Sequence, residues 1–382
     1  MTDKDFWWDK ITGPHAVVTE VADALLDNHI VVLAVPSDLP WRHSMRQTIH
    51  HLIGTASACR DIVIHEIDAV DDNPKNLDPG KFILSEFARD DIYRGYRSGA
   101  SVQDYITAKE VIRKRIIWVK GLKGDVAKKW IRFCRGFKKR KLQDGLFVLE
   151  IQNGREHSAE EAPLEMIDYT DYVSNYDVQL FNSFVLNDQR NYSEEWKNYI
   201  ASVVASLCET DAEVSSDLLE GINFTTQSVI NKIKDIAQYP QYERRGTENK
   251  SNHILWYVRN NQTKELEKRL WRAQLQVLFP IIEMERISLI RKWNENIQKA
   301  IDYKPIQQYS QDIENAEDVE LGTLCYMMNQ RTDDGQRILY IPDDNDRNRI
   351  LFLHKCRNSL AHVDCCTPEQ VVELLDFHQS YI

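Results

Sequence analysis

Residues 30–35 read IVVLAV, an unbroken apolar run dominated by isoleucine and valine. A strand with one wet face alternates. A run without a single polar residue implies a strand buried on both faces, as in a parallel sheet covered by helices. Three further runs fit the same sheet: 62–67 (IVIHEI), 116–119 (IIWV) and 146–151 (LFVLEI). Helix-like stretches lie between them, among them 45–53 and 125–137. Strands separated by helices require crossover connections, so the first part of the chain is expected to be an α/β domain with a mostly parallel sheet.

At 382 residues the chain has room for two or three domains of roughly 150 residues each. Past residue 188 the strand signal fades. Residues 192–207 and 226–238 have the spacing of amphipathic helices, and Tyr239-Pro240 followed by the polar stretch 243–252 (ERRGTENKSN) marks a boundary. The remainder reads as nearly all helical. A long helix over 264–300 carries Leu266, Leu270, Val277, Leu278, Ile281, Ile287 and Ile290 on its apolar face, and Pro280 is expected to kink it by removing a bond to Gln276. A central helix at 321–328 and another at 350–362 follow. Thr367-Pro368-Glu369-Gln370 then starts the last helix, with a Thr cap, Pro at the first helical position and Gln three residues past the cap. The expected organisation is 1–185, α/β domain; 186–250, small all-α lid or linker; 251–382, helical bundle.

Fourteen Gly and 11 Pro are too few for a collagen-like or low-complexity chain, and nine Trp with 16 Tyr argue against disorder. The longest aliphatic run, at 30–35, falls far short of the ~18 residues of a membrane span. The start, MTDKDFWWDK, has no apolar core behind basic residues, so no secretory signal is expected. Seven cysteines include no C-x-x-C pair, and a disulfide between the adjacent Cys365 and Cys366 would be strained. These features point to a reduced, cytoplasmic chain that does not enter a membrane.

The formal charge of −11 conceals a strong asymmetry. Residues 109–141 hold 14 basic and two acidic side chains, a net of +12, and end in Lys138-Lys139-Arg140-Lys141. Lys128, Lys129, Arg132 and Arg135 precede that cluster, and Trp118, Trp130, Phe133 and Phe137 are interleaved with the run. Such a segment serves either as an electrostatic patch for nucleic acid or an acidic partner, or as a solvated face neutralised by the acidic stretch 142–180.

A buried strand feeding a loop and then a helix is the setting of a phosphate-binding loop, which needs glycines to bring backbone N–H groups to the phosphate, then Lys, then Ser or Thr for Mg²⁺. The loop here is Pro36-Ser37-Asp38-Leu39-Pro40-Trp41-Arg42-His43-Ser44. With Ser44 at the hydroxyl position, His43 replaces Lys, and Ser37 and Arg42 stand where glycine belongs. Pro36 and Pro40 also remove N–H donors, and the later strand ends in Lys120 rather than a metal-holding acid. The organisation resembles a P-loop NTPase core followed by a helical lid, without its motifs. What this implies is a degenerate, hydrolysis-dead domain with no cofactor expected; the alternative is an unrelated α/β scaffold.

The sharpest local signal is Arg357-Asn358-Ser359-Leu360-Ala361-His362. It sets a permanent cation and a titratable imidazole five residues apart, about 140° around a regular helix. Arg suits a phosphate and His suits proton transfer near neutral pH, a pairing fit for attack by an RNA 2′-hydroxyl without a metal. The plain reading is a structural ion pair at Arg357 and a helix C-cap at His362. The C-terminal third resembles a HEPN (higher eukaryotes and prokaryotes nucleotide-binding) domain, whose ribonuclease members carry an Arg, a polar residue and a His four to six residues after the Arg. Arg357, Asn358 and His362 match, with the spacer at the short end. The resemblance implies a helical bundle that dimerises to set two Arg/His pairs in one cleft, and metal-independent RNA cleavage. In it Arg357 would stabilise the phosphorane charge, His362 act as acid or base, and Asn358 orient phosphate or imidazole. The expected function is therefore an endoribonuclease effector of a prokaryotic anti-phage or toxin-type system, controlled by a regulatory partner. Its alternative is a non-catalytic adaptor that dimerises through the bundle and docks nucleic acid or protein on the basic segment.

Minor features are read plainly. His354, Cys356, His362, Cys365 and Cys366 match no standard zinc spacing, His50-His51 is an exposed pair, Asp71-Asp72 and Asp343-Asp344 sit in solvated turns, and Trp7-Trp8 docks the N-terminus on the body of the domain.

Overall fold

A computed structural model describes residues 2–55, 61–69, 78–97, 99–138, 140–152, 163–247, 252–303, 307–308, 311–333 and 335–378. Asp71, Asp72 and Lys139 lie outside the described residues. The chain divides into two compact units, Met1–Phe181 with Glu209–Ser216, and Asn182–Cys208 with Asp217–Ile382. Of residues 186–250, Glu209–Ser216 fall in the first unit and the rest in the second.

In the first unit, β1 (Ile30–Val35), β2 (Val63–Asp68), β3 (Arg115–Leu122), β4 (Leu146–Gln152) and β5 (Leu164–Asp168) form one sheet in the order β2-β3-β4-β1-β5. Every pairing is parallel, with Val32 opposite both Leu149 and Met166. All six residues of β1 are buried, as its unbroken apolar run requires. The edge strand β2 has no fully buried residue and carries His65, Glu66 and Asp68, polar groups that discourage pairing with another sheet.

The helices of this unit are α1 (Asp3–Lys10), α2 (Thr12–Leu26), α3 (Arg42–Thr55), α4 (Pro79–Phe87), α5 (Asp90–Gly95), α6 (Val102–Ala108), α7 (Gly124–Arg135) and α8 (Tyr169–Tyr172). Trp7 and Trp8 of α1 are fully buried, and Trp7 meets Phe181 edge-on with ring centroids 5.7 Å apart, so the N-terminus is docked as its tryptophans suggested. The chain leaves β1 toward β2, passing β4 and β3, and leaves β4 in the opposite sense, passing β1 to reach β5. The carboxyl ends of β1 and β4 therefore flank a topological switch point, the position where open parallel sheets bind ligands.

α9 (Asn175–Asn187) and α11 (Ala212–Glu220) each contain a division between the units. The second unit holds α10 (Glu194–Cys208), α12 (Val229–Ile236), α13 (Ile254–Arg259), α14 (Thr263–Lys292), α15 (Asn294–Tyr303), α16 (Leu321–Asn329), α17 (Asp344–Ala361) and α18 (Pro368–His378), with a two-residue antiparallel pairing of β6 (Gln307–Gln308) and β7 (Gln311–Asp312). α14 is the central post, packed against α10, α17 and α18. It continues through Pro280 and stops at Trp293, where the expected single helix 264–300 is broken. Trp293 Nε1 donates to Asp346 Oδ2 at 2.7 Å and Lys292 Nζ lies 2.6 Å from the same oxygen, which fixes the break against the first turn of α17. Inside the bundle Arg349 grips Glu285 with two bonds of 2.7 and 2.8 Å, and both side chains are buried.

The described residues of the polar stretch, 243–247 and 252, belong to the second unit. Tyr242 is buried and donates to Asp217 at 2.8 Å, while Arg259 Nη2 donates to the carbonyls of Ala237 (3.0 Å) and Tyr242 (2.7 Å). The same guanidinium bonds the Arg245 carbonyl inside the stretch, so these groups are not left to water. α18 begins as anticipated: Gln370 Oε1 accepts from Thr367 N at 2.8 Å, and Thr367 Oγ1 accepts from Gln370 N at 3.3 Å.

Candidate functional site

α17 starts where Asp343 caps it, accepting from the backbone N–H groups of Asn345 (2.8 Å) and Asp346 (3.2 Å), so this acid is a helix cap rather than a solvated turn. The helix ends at the motif. His362 is its C-cap, its N–H bonding to Asn358 O (3.0 Å) and Ser359 O (3.2 Å). Asp364 N then donates to Ser359 O at 2.9 Å, the six-to-one bond of a Schellman ending. The residue between, Val363, has φ of 65° in the place where glycine is usual. A β-branched side chain there costs about 1–2 kcal/mol. The Leu360 carbonyl is taken by Trp271 Nε1 at 2.6 Å.

Along this last stretch Arg357 and Asn358 are half-buried and His362 is exposed. Arg357 Nη2 lies 3.3 Å from Glu320 Oε2, the N-cap residue of α16, with 31% of the Arg357 side chain still open to solvent. Asn358 does not reach toward His362. Its amide nitrogen lies 3.0 Å from His354 Nε2. An amide nitrogen only donates, so Nε2 accepts and the proton of the neutral ring sits on Nδ1. Burial, reinforced by the Arg357 charge, holds the His354 pKa below its ordinary value.

Around an ideal helix, His354, Asn358 and His362 fall at about 60°, 100° and 140° from Arg357. The gap between the cation and the terminal imidazole is thus filled by two further polar groups on the same face. His354 was missed as a partner of the motif because it precedes Arg357. The signal for it was the His/Asn spacing of four residues, which stacks the pair on one helix face. Cys356 and Cys366 are buried, and Cys366 Sγ approaches the Cys356 carbonyl at 4.0 Å. Among the described residues no group of three or more His, Cys, Asp or Glu side chains is arranged to hold a metal.

The loop after β1 is organised around the protein's own charges. Arg42 Nη2 donates to the carbonyls of Pro36 (3.0 Å) and Ser37 (3.1 Å), and its Nη1 lies 3.1 Å from Glu150 Oε1. Glu150, fully buried on β4, also lies 3.3 Å from Arg46 and accepts from Trp118 Nε1 at 2.9 Å. Arg46 continues to Glu66 (3.1 Å), and Lys120 reaches Glu66 (2.9 Å) and Asp68 (3.2 Å). Burial acts to raise the Glu66 pKa, but the Lys120 hydrogen bond and the Arg46 and Lys120 charges outweigh it and lower it. At the start of α3 the Trp41 N–H is already given to Glu213 Oε2 at 2.8 Å. A phosphate cradle presents N–H groups. This loop presents carbonyls to an internal cation, with a carboxylate at the helix N-terminus. Ser44 is buried in α3, while His43 faces solvent.

On α7 the apolar residues Ala127, Trp130, Ile131 and Cys134 face inward, and Lys128, Arg132 and Arg135 are exposed on the other side. Lys129 is half-buried; Lys138 and Lys141 are exposed. Arg140 is not part of this surface. It is 5% exposed, bonds Thr107 Oγ1 at 2.9 Å and the Asp144 carbonyl, and lies 4.8 Å over the Phe137 ring. Trp118, Trp130, Phe133 and Phe137 are likewise buried, so the interleaved aromatics build the core and cannot stack on bases. Lys128 pairs with Asp125 at 3.1 Å and Lys138 with Asp104 at 3.9 Å, neither of them from the acidic stretch 142–180.

No protein-family model matches the sequence, and no curated protein matches it. Among solved structures the chain is similar to the Aeropyrum pernix ORC1 protein in complex with DNA, at a TM-score of 0.35 and 13% identity over 94% of each chain. It is also similar to the Aeropyrum pernix ORC2 protein in ADPNP–ADP complexes, at a TM-score of 0.32 and 10% identity over 90% of this chain and 93% of that one. At such scores neither likeness bears on what this chain does. No helix among the described residues is long and apolar enough to cross a membrane.

Proposed function

We propose that the helical unit is a metal-independent endoribonuclease of the HEPN type, and that the α/β unit is an NTPase-like sensor or assembly module that no longer handles nucleotide. The observation that carries this reading is the accessible polar face of α17, where Arg357, His354, Asn358 and His362 follow one another around the helix. In it the neutral His354 and Asn358, bonded to each other, orient the phosphate group. Arg357 holds the phosphorane charge, and His362 protonates the departing 5′ oxygen. The products are a 2′,3′-cyclic phosphate and a 5′-hydroxyl. A second copy of the chain, paired through the bundle, would bring a second set of these groups to the same RNA. The exposed cations of α7 supply non-specific attraction for the polynucleotide. Such an activity belongs in a cytoplasmic effector of a defence or toxin system, restrained by a regulatory partner.

The closed network around Arg42 and Glu150 supports the second half of the proposal. It fills the switch point with paired charges and turns carbonyls toward the position of a phosphate. A second reading, the non-catalytic adaptor, is favoured by the internal pairing of Arg357 with Glu320 and of Asn358 with His354, which already satisfies both motif side chains. Expression in cells separates the two. The nuclease reading expects wild type to slow growth and degrade RNA under inducing conditions and Arg357→Ala to do neither. Equal growth and intact RNA for both chains favour the adaptor.

A further inference from the structure

Past the motif the chain lines a cleft of about 470 Å³ within the helical unit. Small-molecule sites span roughly 300–1,000 Å³, so the cleft has the capacity of one. Phe224, Ile230, Leu270 and Val371 supply apolar wall. Gln274, 2% exposed and one turn beyond Leu270 on α14, donates to the Cys366 carbonyl at 3.1 Å and accepts from the Cys366 N–H at 2.8 Å. The same amide nitrogen lies 3.0 Å from the Tyr199 hydroxyl. Segment 363–367 is therefore pinned by bonds inside the protein, and the cleft does not need an occupant to keep its form.

The charge around the cleft has one sign. Glu267 and Asp364 are exposed lining residues, and no Lys or Arg lines the cleft among the described residues. Cys365 Sγ donates to the Glu267 backbone carbonyl at 3.3 Å, which sets Glu267 beside Asp364-Cys365, and the Cys365 thiol is pushed up to about 11, first by burial and then by the charges of Glu267 and Asp364.

We propose that this cleft is a binding site for a small apolar molecule carrying an ammonium group, with its body on the Leu270 and Val371 wall and its charge between Glu267 and Asp364. A nucleotide or other anion would meet two like charges there. Location gives the site a regulatory consequence. Its wall begins at Val363, directly after His362, and a ligand resting on that segment favours the one conformation that holds His362 at the end of α17. This consequence rests on the nuclease reading, whereas the binding itself does not.

Calorimetric titration of the full chain, without RNA, tests the site with three probes of one shape: cyclohexylmethylamine, cyclohexylmethanol and cyclohexanecarboxylate. The amine is expected to bind at least tenfold more tightly than the carboxylate. In the double variant Glu267→Gln, Asp364→Asn that preference disappears while the alcohol binds as before. Leu270→Trp, checked for a cooperative unfolding transition, is expected to abolish binding of all three. Carboxylate binding as tight as the amine, amine binding unchanged in the double variant, or no saturable binding of the amine at millimolar concentration would each overturn the proposal. Because binding is read apart from RNA cleavage, failure of the cleft and failure of the nuclease are separate results.

Discussion

An imidazole that accepts a hydrogen bond from an amide is committed to its neutral form, and His354 is in that position. Protonation would break the Asn358 bond, place a second cation beside Arg357 and charge a partly buried ring. The folded-state pKa therefore lies below 6.5, and stability linked to this group is complete above 6.5 and lost as pH falls through the lowered value. NMR titration of the ring in the full chain is expected to give a midpoint below 6.5, moving upward in Arg357→Gln while staying under 6.5 because burial is the larger cause. A midpoint at or above 6.5 in the wild type would contradict this geometry. The residue pattern named Arg357, Asn358 and His362 but not the partner of Asn358, since a spacing of four backward along a helix is invisible to a motif read forward. Arg140 shows the converse. It sits in a run of cations, yet its guanidinium is consumed by Thr107, the Asp144 carbonyl and the Phe137 ring, which only the fold brings near.

Among the elements, those whose burial dominates their sequence were legible and those fixed by tertiary partners were not. β1 is wholly apolar and β4 nearly so, Glu150 and Gln152 excepted, because both faces are covered. β5, LEMID, is short and mixed, and becomes a strand only because β1 offers it an edge. The loop between β1 and α3 was legible as lacking a phosphate cradle. What replaces the cradle was not, since Glu150 lies more than a hundred residues from Arg42 and Arg46. Two arginines and an indole converge on that buried carboxylate, so removing it strands charge in a dry site. Glu150→Ala is expected to lower unfolding stability by about 3–5 kcal/mol in urea denaturation. A loss under about 1 kcal/mol would mean that water reaches the network and that the loop is not closed as described.

For the molecule as a whole, the parallel sheet in one unit and the helical bundle in the other follow from the shift in periodicity along the chain, whereas the position of the division does not. Segment 243–252 looks like a linker by composition, yet among its described residues the Arg245 carbonyl is taken by Arg259 of the bundle. The central claim is that RNA cleavage resides in the helical unit and needs no metal. Its most direct test is incubation of purified protein with labelled RNA in excess EDTA, over a range of protein concentrations, comparing wild type with His362→Ala and examining the product ends. The account predicts cleavage by the wild type leaving 2′,3′-cyclic phosphates, and a loss of at least a hundredfold in the variant, in line with the roughly 10²–10⁴-fold contributed by a general acid or base. Undiminished cleavage by His362→Ala, or cleavage that stops when metal is removed, would contradict it.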